Sequence, residues 1–555
     1  MSQSAGHLIV RTLEAHGVER VYAVPGESYL DVLDGLHDSA IETVVCRHEG
    51  GAGFMALAEG RLTSRPGIAM VTRGPGAANA MIAVHTAWQD ATALVLFVGL
   101  VPVADRERDA FQEFSLTGWF GSTAKRVLTI DDPARAGELV DEALRIAASG
   151  RPGPVVVGLP EDLLMVHTDA AVPAPSRPAR PAPAQDELRE FAERLTAAQR
   201  PAFVLGGDGW ERGAGGALAA FAEAAGIPVF CDWRAYDAVP HDSAAWAGWL
   251  GYGRGDQILA GYAEADLLVF VGCTRADVLS EGYTAGLDTP TVLAVADPNA
   301  ATHAGRIDQH LVATPETFVA GLAALDPGTV RGDRDQTWLT ERAAAQRAYA
   351  AHRPDATANG LAPGSPEAAA LGVDLGVAFG LLDDRLDGDA TLTFGAGNAT
   401  IWAHRFVRHL RPASLVGARN GAMGLAVPAA VAASLAQPGK RAVAVCGDGD
   451  FLMNGQEIAT AFAHGASPLV IVVDNGVYGT IVQHQERHYP GRPSGTAMAN
   501  PNFADWMRSF GGHGEHVTRT DEFADALDRA LAAAGPALIH VVIDATVMPP
   551  ATSEV

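Results

Sequence analysis

Two short motifs in the last third of the chain place carboxylate and amide side chains, types that can bind a metal, directly after predicted strands. The motif GDGD (447–450) follows the apolar run RAVAVC, and the motif DNG (474–476) follows the apolar run PLVIVV. If these strands are neighbours in a parallel sheet, their carboxyl ends open onto one crevice, which is where open α/β sheets bind ligands. The Asp448 carboxylate and the Asn475 amide oxygen are hard ligands suited to Mg²⁺, and Gly449 lets the backbone approach a phosphate closely. The GDG triplet alone is a common turn, so the prediction rests on the two motifs together.

The elements that position these motifs form a repeating pattern. From Gly17 onward, five short runs rich in β-branched residues alternate with helical stretches: VERVYAV, IETVVCR, GIAMVTR, TALVLFVG and PVVVGLP. This pattern is typical of a parallel sheet covered by helices. Similar sets of runs recur twice more along the chain, as AFVLGG, PVFCDW, DLLVFVG and TVLAVAD and then as LTFGAG, AVAVCGDGD, LVIVVDN and ALIHVVIDA. We therefore predict an α/β protein with three doubly wound parallel-sheet domains.

Segments rich in Ala, Gly and Pro separate the predicted domains. The stretch TDAAVPAPSRPARPAPAQ cannot pack a core and favours an extended conformation, so it is predicted to be a linker. A second polar stretch rich in these residues precedes the third set of strands. The predicted segments are a first domain at 1–167, a linker at 168–187, a central domain at 188–327, a linker at 328–367 and a third domain at 368–555.

The composition of the chain excludes several classes of protein. Its 555 residues, 48% hydrophobic and 19% charged, indicate a globular protein with several cores. The net charge of -25 repels nucleic-acid phosphates and anionic lipid headgroups, so neither nucleic acid nor a membrane is an expected partner. No apolar stretch reaches the roughly 18 to 20 residues that a bilayer requires, and the first residues lack the apolar core of a secretion signal.

The four cysteines lie far apart in the sequence, each in or beside an apolar segment: Cys46, Cys231, Cys273 and Cys446. This spacing excludes a CxxC pair and a close set of metal ligands. It predicts reduced cysteines inside protein cores, and with them a cytoplasmic location.

The combination of GDG with a strand-end asparagine resembles the signature of the thiamine-diphosphate (ThDP) enzymes of the acetolactate synthase, benzoylformate decarboxylase and pyruvate oxidase type. The resemblance extends over nearly the whole chain, as an N-terminal pyrimidine-binding domain, a central domain and a C-terminal diphosphate-binding domain. It implies that Mg²⁺ is bound by the side chains of Asp448 and Asn475 and by the backbone carbonyl of Val477. It also implies that the metal bridges to the diphosphate of ThDP.

A second motif, RHEGGA (47–52), follows the run IETVVC. An isolated triplet of this kind is more often a solvated turn after a strand. By the resemblance, Glu49 is the catalytic carboxylate that faces N1′ of the aminopyrimidine ring. A carboxyl group in a low-dielectric pocket stabilises the imino tautomer of that ring, whose 4′ nitrogen then takes the proton from the thiazolium C2.

The resemblance also implies contacts between the cofactor and several loops. Met423, flanked by glycines, would prop the cofactor in its bent conformation, although a methionine is more often an ordinary core residue. Asn398 and Ala399 stand where acetolactate synthases have Gln and His, so backbone contacts would carry more of the binding there. The residues implied to bind the cofactor are Pro25, Gly26, Glu49, Gly397, Asn398, Ala399, Gly421, Met423, Gly447, Asp448, Gly449, Asp450, Asn475, Val477, Tyr478, Gly479 and Thr480.

The segment DAFQE (109–113) resembles the part of acetolactate synthases whose glutamine reaches the reacting centre, which implies a catalytic role for Gln112. The chain lacks the adjacent histidine pair of pyruvate decarboxylases. Both features favour a carboligase, which decarboxylates or cleaves a 2-oxo acid such as pyruvate and transfers the acyl-anion equivalent to an acceptor carbonyl. Thr480 and His484 stand where the family usually has Met and the Trp that selects the second 2-oxo acid, which argues against branched-chain biosynthesis. His484 is a candidate proton donor, although a solvated loop histidine is at least as ordinary an interpretation.

Other functions stay open at this point. One alternative is a simple 2-oxo acid decarboxylase of the benzoylformate decarboxylase type, and another is a non-catalytic homologue that keeps the fold. The joint presence of Glu49, Asp448 and Asn475 favours a catalyst. Glu49 and Asp448 belong to different domains, and the resemblance implies that the two ends of one cofactor are bound by different chains. It therefore implies a homodimer or homotetramer.

The central domain carries features that resemble a flavin site. Glycine-rich turns at 206–209 and 251–255 follow predicted strands or lie between them, and an arginine-centred segment surrounds Arg275. In acetolactate synthases the corresponding segments hold FAD, but the second arginine of the family is missing here. No GxGxxG motif is present, so FAD and an empty structural domain are equally supported alternatives.

Overall fold

The computed structural model describes residues 2–207, 209–210, 213–300, 302–351, 361 and 365–549. Three six-stranded sheets lie within these residues, and the paired strands of each sheet are parallel. Helices flank each sheet. The predicted α/β class with three parallel-sheet domains is therefore confirmed.

The first domain alternates strands and helices. Its strands are β1 (Gln3–Ser4), β2 (Arg20–Ala23), β3 (Glu42–Val45), β4 (Gly67–Val71), β5 (Leu94–Leu100), β6 (Arg126–Thr129), β7 (Pro154–Pro160) and β8 (His167–Thr168). Its helices are α1 (Ala5–Ala15), α2 (Leu30–His37), α3 (Glu49–Thr63), α4 (Pro75–Asp90), α5 (Leu116–Phe120), α6 (Ala136–Ala148) and α7 (Glu161–Leu164). The large sheet has the order β3-β2-β4-β5-β7-β6, and β1 pairs with β8 separately. Strands β4, β5 and β7 are buried along their whole length, as expected of parallel strands covered on both faces.

The central domain repeats this plan. Its strands are β9 (Pro201–Leu205), β10 (Val229–Asp232), β11 (Trp246–Leu250), β12 (Leu267–Val271), β13 (Thr291–Val295) and β14 (Gln309–Val312). Its helices are α8 (Gln185–Ala197), α9 (Ala214–Ala225), α10 (Asp256–Glu264), α11 (Pro315–Leu322), α12 (Pro327–Arg331) and α13 (Thr337–Ala350). The sheet order is β11-β10-β9-β12-β13-β14.

The third domain contains the strands that carry the GDG and DNG motifs. Its strands are β15 (Thr391–Phe394), β16 (Leu415–Gly417), β17 (Ala442–Gly447), β18 (Leu469–Asp474), β19 (His513–Val517) and β20 (Ala537–Val542). Its helices are α14 (Pro366–Ala370), α15 (Leu375–Leu386), α16 (Asn398–Phe406), α17 (Ala426–Ala436), α18 (Asp448–Asn454), α19 (Ile458–Ala463), α20 (Gly479–His488), α21 (Phe503–Ser509) and α22 (Thr520–Ala532). The sheet order β16-β15-β17-β18-β20-β19 makes β17 and β18 neighbours, as the sequence interpretation required.

The predicted linkers differ in structure. Residues 169–184 have no regular secondary structure. The segment 328–367, in contrast, contains helix α13, in which Trp338 and Tyr349 are buried. The prediction of a linker therefore missed a helix with buried aromatic residues, because the surrounding sequence is rich in alanine. Residues 352–360 and 362–364 of this segment are not among the described residues.

The chain forms two compact units. The first contains Met1–Ala179, Ala418–Pro438 and Leu452–Ala466, and the second contains Arg180–Gly417, Gly439–Phe451 and Ser467–Val555. Within the first unit, helix α17 packs against α3, so that a segment from the third domain contributes to the same unit as the first sheet.

The cysteines and helices bear on two predictions from composition. All four cysteines are buried and free, as predicted for core residues. Among the described residues, no helix combines the length and the apolar character needed to cross a membrane.

Candidate active site

Asp448 lies at the carboxyl end of β17 and is the first residue of α18. In the neighbouring strand β18, Val473 is the register partner of Gly447. The two strands therefore end at the same level, and Asp448 leaves the sheet beside the turn that follows β18.

The structure brings the three predicted metal ligands to this turn. The Asp448 carboxylate accepts hydrogen bonds from the backbone N–H of Gly449 at 2.9 Å and of Gly476 at 3.0 Å. Gly476 stands between Asn475 and Val477, and Asn475 Oδ1 accepts a hydrogen bond from the Val477 N–H at 3.2 Å. The predicted carboxylate, amide and carbonyl therefore belong to two backbone segments in direct contact.

Further residues that the sequence interpretation missed surround Asp448. Asn500 Nδ2 donates to Asp448 Oδ2 at 2.7 Å and to Asp474 Oδ1 at 2.9 Å. His540 Nε2 donates to Asp474 Oδ2 at 2.9 Å, while its Nδ1 accepts from the Phe503 N–H at 3.2 Å, which fixes the ring proton on Nε2. We refer to this group as the Asp448 cluster, which consists of Asp448, Asp474, Asn475, Asn500 and His540.

The two carboxylates of the Asp448 cluster have opposite pKa shifts. Burial, together with the hydrogen bond to Asp474, raises the pKa of Asp448 to about 6. Burial also opposes ionisation of Asp474, but hydrogen bonds from His540, Asp448 and Asn500 outweigh it and lower the pKa of Asp474 to about 2. Two adjacent buried carboxylates repel when both are ionised, so a divalent cation would favour the doubly ionised state.

The donor set fits Mg²⁺. In the described part of the chain, no group of three or more His, Cys, Asp or Glu side chains could hold a metal by itself. The predicted site instead combines the Asp448 carboxylate with an amide and a carbonyl oxygen, which are hard ligands of the kind that Mg²⁺ prefers. Asn500 Oδ1 is buried without a hydrogen-bond partner among the described residues, so it is a further oxygen at the site that a hydrated cation could engage.

The loop 395–397, between β15 and α16, is held from two directions. Asp450 Oδ1 accepts a hydrogen bond from the Ala396 N–H at 3.0 Å. Arg234, from the central domain, donates from Nη2 to the Gly395 carbonyl at 3.0 Å and lies over the Trp233 ring at 4.1 Å. The Asp450 side chain therefore binds a backbone N–H of the loop, and the Arg234 side chain binds a backbone carbonyl of the loop. The contact of Arg234 was not predicted from the sequence.

Asn398 leaves one donor unused at the start of α16. Its Oδ1 accepts a hydrogen bond from Thr480 Oγ1 at 3.1 Å, whereas its buried Nδ2 has no partner in the part of the chain that the structure describes. Gly397, with a φ of 110°, adopts a conformation that other residues rarely adopt, and Ala399 is buried. An unused N–H donor at the amino end of a helix fits an anionic group such as a phosphate.

Two glycines permit close packing around the turn that follows β18. A Cβ on Gly449 would lie 2.6 Å from the Tyr478 ring, and a Cβ on Gly479 would lie 3.0 Å from Asn475 Nδ2. The structure therefore requires Gly449 for packing against Tyr478, in addition to the approach of a phosphate that the sequence interpretation assigned to it.

Glu49 is the first residue of α3, in the loop-to-helix junction after β3. It is half-buried, and its Oε2 accepts a hydrogen bond from Asn79 Nδ2 at 2.9 Å. Its Oε1 lies 3.3 Å from where a Cβ on Gly76 would be, so Glu49 faces the first turn of α4. The amino end of a helix favours a negative charge.

Two further predicted segments lie against residues 72–74, directly before α4. A Cβ on Gly26 would lie 2.5 Å from Thr72 Cβ, and Thr72 in turn lies beside Gly76. A Cβ on Gly74 would lie 2.6 Å from the carbonyl oxygen of Gln112, which has a φ of 62°. We refer to this group as the Glu49 cluster, which consists of Gly26, Glu49, Thr72, Asn79 and Gln112, with Pro25 adjacent in sequence to Gly26.

The turn that contains Gly421 and Met423 also lies on α4. Asn420 Nδ2 donates to Thr86 Oγ1 at 3.1 Å, and Asn420 Oδ1 accepts from the Ala422 N–H at 3.1 Å. Gly421 is exposed with a φ of 68°. Met423 is half-buried, so it differs from a fully buried core methionine and keeps part of its surface accessible.

His484 lies on helix α20 and not on a loop. It is exposed, as is Ile481 on the same helix. His484 is therefore accessible to solvent, and its role as a proton donor stays a prediction.

Arg275, the centre of the segment that resembles a flavin site, is held by contacts inside the central domain. Its side chain is fully buried, and its guanidinium donates to the Tyr262 hydroxyl at 3.3 Å, Thr291 Oγ1 at 2.6 Å and the Ala304 carbonyl at 3.0 Å. Its donors therefore serve contacts inside the domain. Asp208, in the turn 206–209, lies outside the described residues.

Comparison with known proteins gives matches along the whole chain. Three family patterns match: the N-terminal TPP binding domain of thiamine pyrophosphate enzymes at 3–119, the central domain of these enzymes at 188–322, and their C-terminal TPP binding domain at 395–541. Thiamine pyrophosphate (TPP) is another name for ThDP.

Similar proteins include several named acetolactate synthases. The large subunit of acetolactate synthase isozyme 2 from Escherichia coli is 30% identical over 539 residues, covering 97% of this chain and 95% of that protein. A probable acetolactate synthase large subunit from Methanocaldococcus jannaschii is 27% identical over 546 residues, covering 97% and 91%. The catabolic acetolactate synthase of Raoultella terrigena is 29% identical over 564 residues, covering 97% and 94%. Since these similarities span both the Glu49 cluster and the Asp448 cluster, the chain belongs to the acetolactate synthase-like family of ThDP-dependent enzymes.

Proposed function

We propose that this protein is a ThDP- and Mg²⁺-dependent carboligase that decarboxylates or cleaves a 2-oxo acid such as pyruvate and transfers the acyl fragment to an acceptor carbonyl. The observation that carries the proposal is the Glu49 cluster, in which a carboxylate paired with Asn79 lies beside the Gln112 loop. We propose the substrate class, the metal and the type of reaction.

The metal and the diphosphate would be held by separate groups of residues. Mg²⁺ would be bound by Asp448, Asn475 and the carbonyl of Val477. Asn500 would orient the Asp448 carboxylate, and His540 would orient the Asp474 carboxylate beside it. The unused donor of Asn398 and the backbone of Gly397 would bind the diphosphate.

ThDP supplies an acidic C2–H and an electron sink for the carbanion left by loss of CO₂. Glu49 would hold a proton at N1′ of the aminopyrimidine, where the Asn79 hydrogen bond orients its carboxyl group. The loops that carry Gly26 and Gln112 would cover this end of the cofactor and exclude water from it.

Two residues would serve the substrates. Gln112 would hydrogen-bond the 2-oxo acid, since its backbone is held against Gly74 beside the catalytic carboxyl group. His484, exposed on α20, would donate a proton to the acceptor oxygen as the new carbon–carbon bond forms. We further propose a homodimer as the smallest active unit, with a homotetramer compatible with the same sites.

Product analysis tests the proposal. The purified protein is incubated with ThDP, Mg²⁺ and ¹³C-labelled pyruvate, and the products are followed by NMR, with benzoylformate, sulfoacetaldehyde and longer 2-oxo acids in parallel. A product with a new carbon–carbon bond supports a carboligase, and an aldehyde as the main product would instead establish a simple decarboxylase. Glu49→Gln is the matched control, and turnover equal to that of the wild type would show that the reaction does not use the Glu49 cluster.

A further inference from the structure

A buried carboxylate holds the backbone directly before Glu49. Glu457 is fully buried, in a 3₁₀ turn that precedes α19. Its Oε1 accepts hydrogen bonds from the N–H groups of Arg47 at 3.1 Å and His48 at 2.9 Å, and its Oε2 accepts one from the Thr460 hydroxyl at 2.6 Å. One side chain therefore binds two consecutive peptide groups from a distant part of the sequence.

The same segment completes the edge of the first sheet. β3 is an edge strand, so part of its backbone lacks a neighbouring strand. The Val45 N–H donates to His464 Nε2 at 3.0 Å. The three N–H groups of residues 45, 47 and 48 therefore donate to two side chains, Glu457 and His464, which supply the acceptors that a neighbouring strand would otherwise provide.

Gly51 provides the space for this carboxylate. It lies in the first turn of α3, where a Cβ would overlap Glu457 Oε1. Glycine stabilises a helix less than alanine does, so Gly51 lowers the stability of α3. Its presence is explained by the buried Glu457 carboxylate, which occupies the space that a Cβ would need.

We propose that Glu457 is a positioning residue for Glu49. It acts through the backbone of Arg47 and His48 and does not contact reacting atoms. This inference rests on the proposed function, because it assumes the catalytic role of Glu49. A misplacement of about 1 Å can slow a reaction by about 100-fold, so losing this anchor should slow the proton transfer that depends on Glu49. Affinity for ThDP and Mg²⁺ should change little, since the diphosphate end is bound elsewhere.

The test uses the full chain and four variants. Glu457→Ala removes the acceptor, and Glu457→Gln retains one oxygen acceptor without the charge. Gly51→Ala introduces the overlap from the opposite side. Ala461→Gly is the matched control, because it weakens α19 at a buried position without touching the contacts of Glu457.

Two measurements separate the anchor from the catalytic role. Hydrogen exchange followed by mass spectrometry reports the amides of residues 45–50 in the cofactor-free protein. Deuterium exchange at C2 of bound ThDP reports the step assigned to Glu49, and calorimetry reports the affinity for ThDP.

We expect Glu457→Ala and Gly51→Ala to lower amide protection of residues 45–50 by about tenfold or more and C2 exchange by about 10- to 100-fold, with ThDP affinity within about threefold. Glu457→Gln should keep most of both, and Ala461→Gly should change neither. Unchanged amide protection in Glu457→Ala, or an equal loss of C2 exchange in Ala461→Gly, would overturn the proposal. So would a Glu457→Gln variant that keeps amide protection but loses C2 exchange, because this would indicate proton transfer by Glu457.

A wild-type protein that does not accelerate C2 exchange would refute the proposed function by a separate route. In that case the amide protection still decides whether Glu457 holds the segment before Glu49, and unchanged protection would refute that as well. If Glu457→Ala does not fold, Glu457→Gln and Gly51→Ala give the decision.

Discussion

The Asp448 cluster predicts that removing a charge stabilises the cofactor-free protein but abolishes its stabilisation by Mg²⁺ and ThDP. The Asp448 side chain is 3% exposed, and its pKa is raised from the usual 3.8 to about 6, mainly by burial. When ionised, such a group costs the folded protein about 3 kcal/mol relative to its protonated form. Asp448→Asn removes this cost.

The substitution also weakens hydrogen bonds, which reduces the expected gain. The carboxylate accepts from the N–H groups of Gly449 and Gly476 and from Asn500, and an asparagine side chain can accept at only one of its two polar ends. The loss is about 1 to 2 kcal/mol, so a net stabilisation of about 1 to 2 kcal/mol remains at pH 7.5. For a domain of about 150 to 250 residues, the size range of the third domain, this corresponds to a rise of roughly 2 to 8 °C in its thermal midpoint without cofactor.

The raised pKa of Asp448 also makes the stability difference between the wild type and Asp448→Asn depend on pH. Because the folded-state pKa of Asp448 is raised, the cost of its ionisation is absent below the unfolded pKa of about 3.8 and grows until the pH exceeds about 6. The wild type should therefore lose stability relative to Asp448→Asn as the pH rises from about 4 to 6, with a constant difference above that range.

Thermal unfolding at several pH values, with and without Mg²⁺ and ThDP, checks these expectations. Saturating cofactor at about 100 times its Kd should add about 2.7 kcal/mol to the wild type and nothing to Asp448→Asn, so the order of stability reverses. Asp505→Asn is the matched control, since this carboxylate is exposed and pairs with Arg508 at the surface. The reasoning fails if cofactor-free Asp448→Asn is less stable than the wild type at pH 7.5, or if it keeps the full stabilisation by cofactor.

Three other predictions address the remaining groups. Glu49→Gln should slow deuterium exchange at C2 of ThDP by orders of magnitude while calorimetry still detects binding, because it keeps the volume of the side chain but removes the acid; equal exchange rates would contradict the catalytic assignment. Asn500→Ala should weaken Mg²⁺ binding by about 10- to 100-fold in calorimetry with ThDP present, because the hydrogen bonds to both carboxylates of the Asp448 cluster are lost; unchanged affinity would exclude an orienting role. Burial lowers the pKa of His409 to about 3, so this residue favours folding above the unfolded pKa of about 6.5 and loses that contribution as the pH falls toward 3. His409→Gln should accordingly reduce the slope of the unfolding free energy against pH by about 1.4 kcal/mol per pH unit between pH 6 and 4. Denaturant titrations at several pH values measure this slope. An unchanged slope would show that His409 does not stay neutral in the folded protein.

Sequence-based prediction found the inner strands and missed most of the outer ones. The missed strands β6, β11, β14, β16 and β19 all lie at sheet edges. Inner parallel strands are buried on both faces and form continuous apolar runs, whereas an edge strand pairs on one side and here is short or interrupted by polar residues or glycine. The order of the strands, and with it the adjacency of β17 and β18, depends on pairings that no local pattern specifies.

The same division applies to the candidate site. The chemistry of Asp448, Asn475 and Glu49 could be predicted because each follows an apolar strand within a short motif, and strand ends are where parallel sheets bind ligands. The hydrogen-bond partners of these residues could not be predicted in this way. Asn500 reaches Asp448 across 52 positions of sequence, and Glu457 reaches Arg47 across 410.

The sequence by itself therefore determined the class of fold, the inner strands and the residue types available for catalysis, because burial periodicity and strand-end motifs are local properties of the chain. Only the tertiary structure decided which side chains orient those residues, which carboxylate of the Asp448 cluster is harder to ionise, and that Arg275 is used inside its own domain. These outcomes depend on burial and on hydrogen bonds between distant segments. Such contacts exist only after the chain has folded and the solvent has been removed from between its parts.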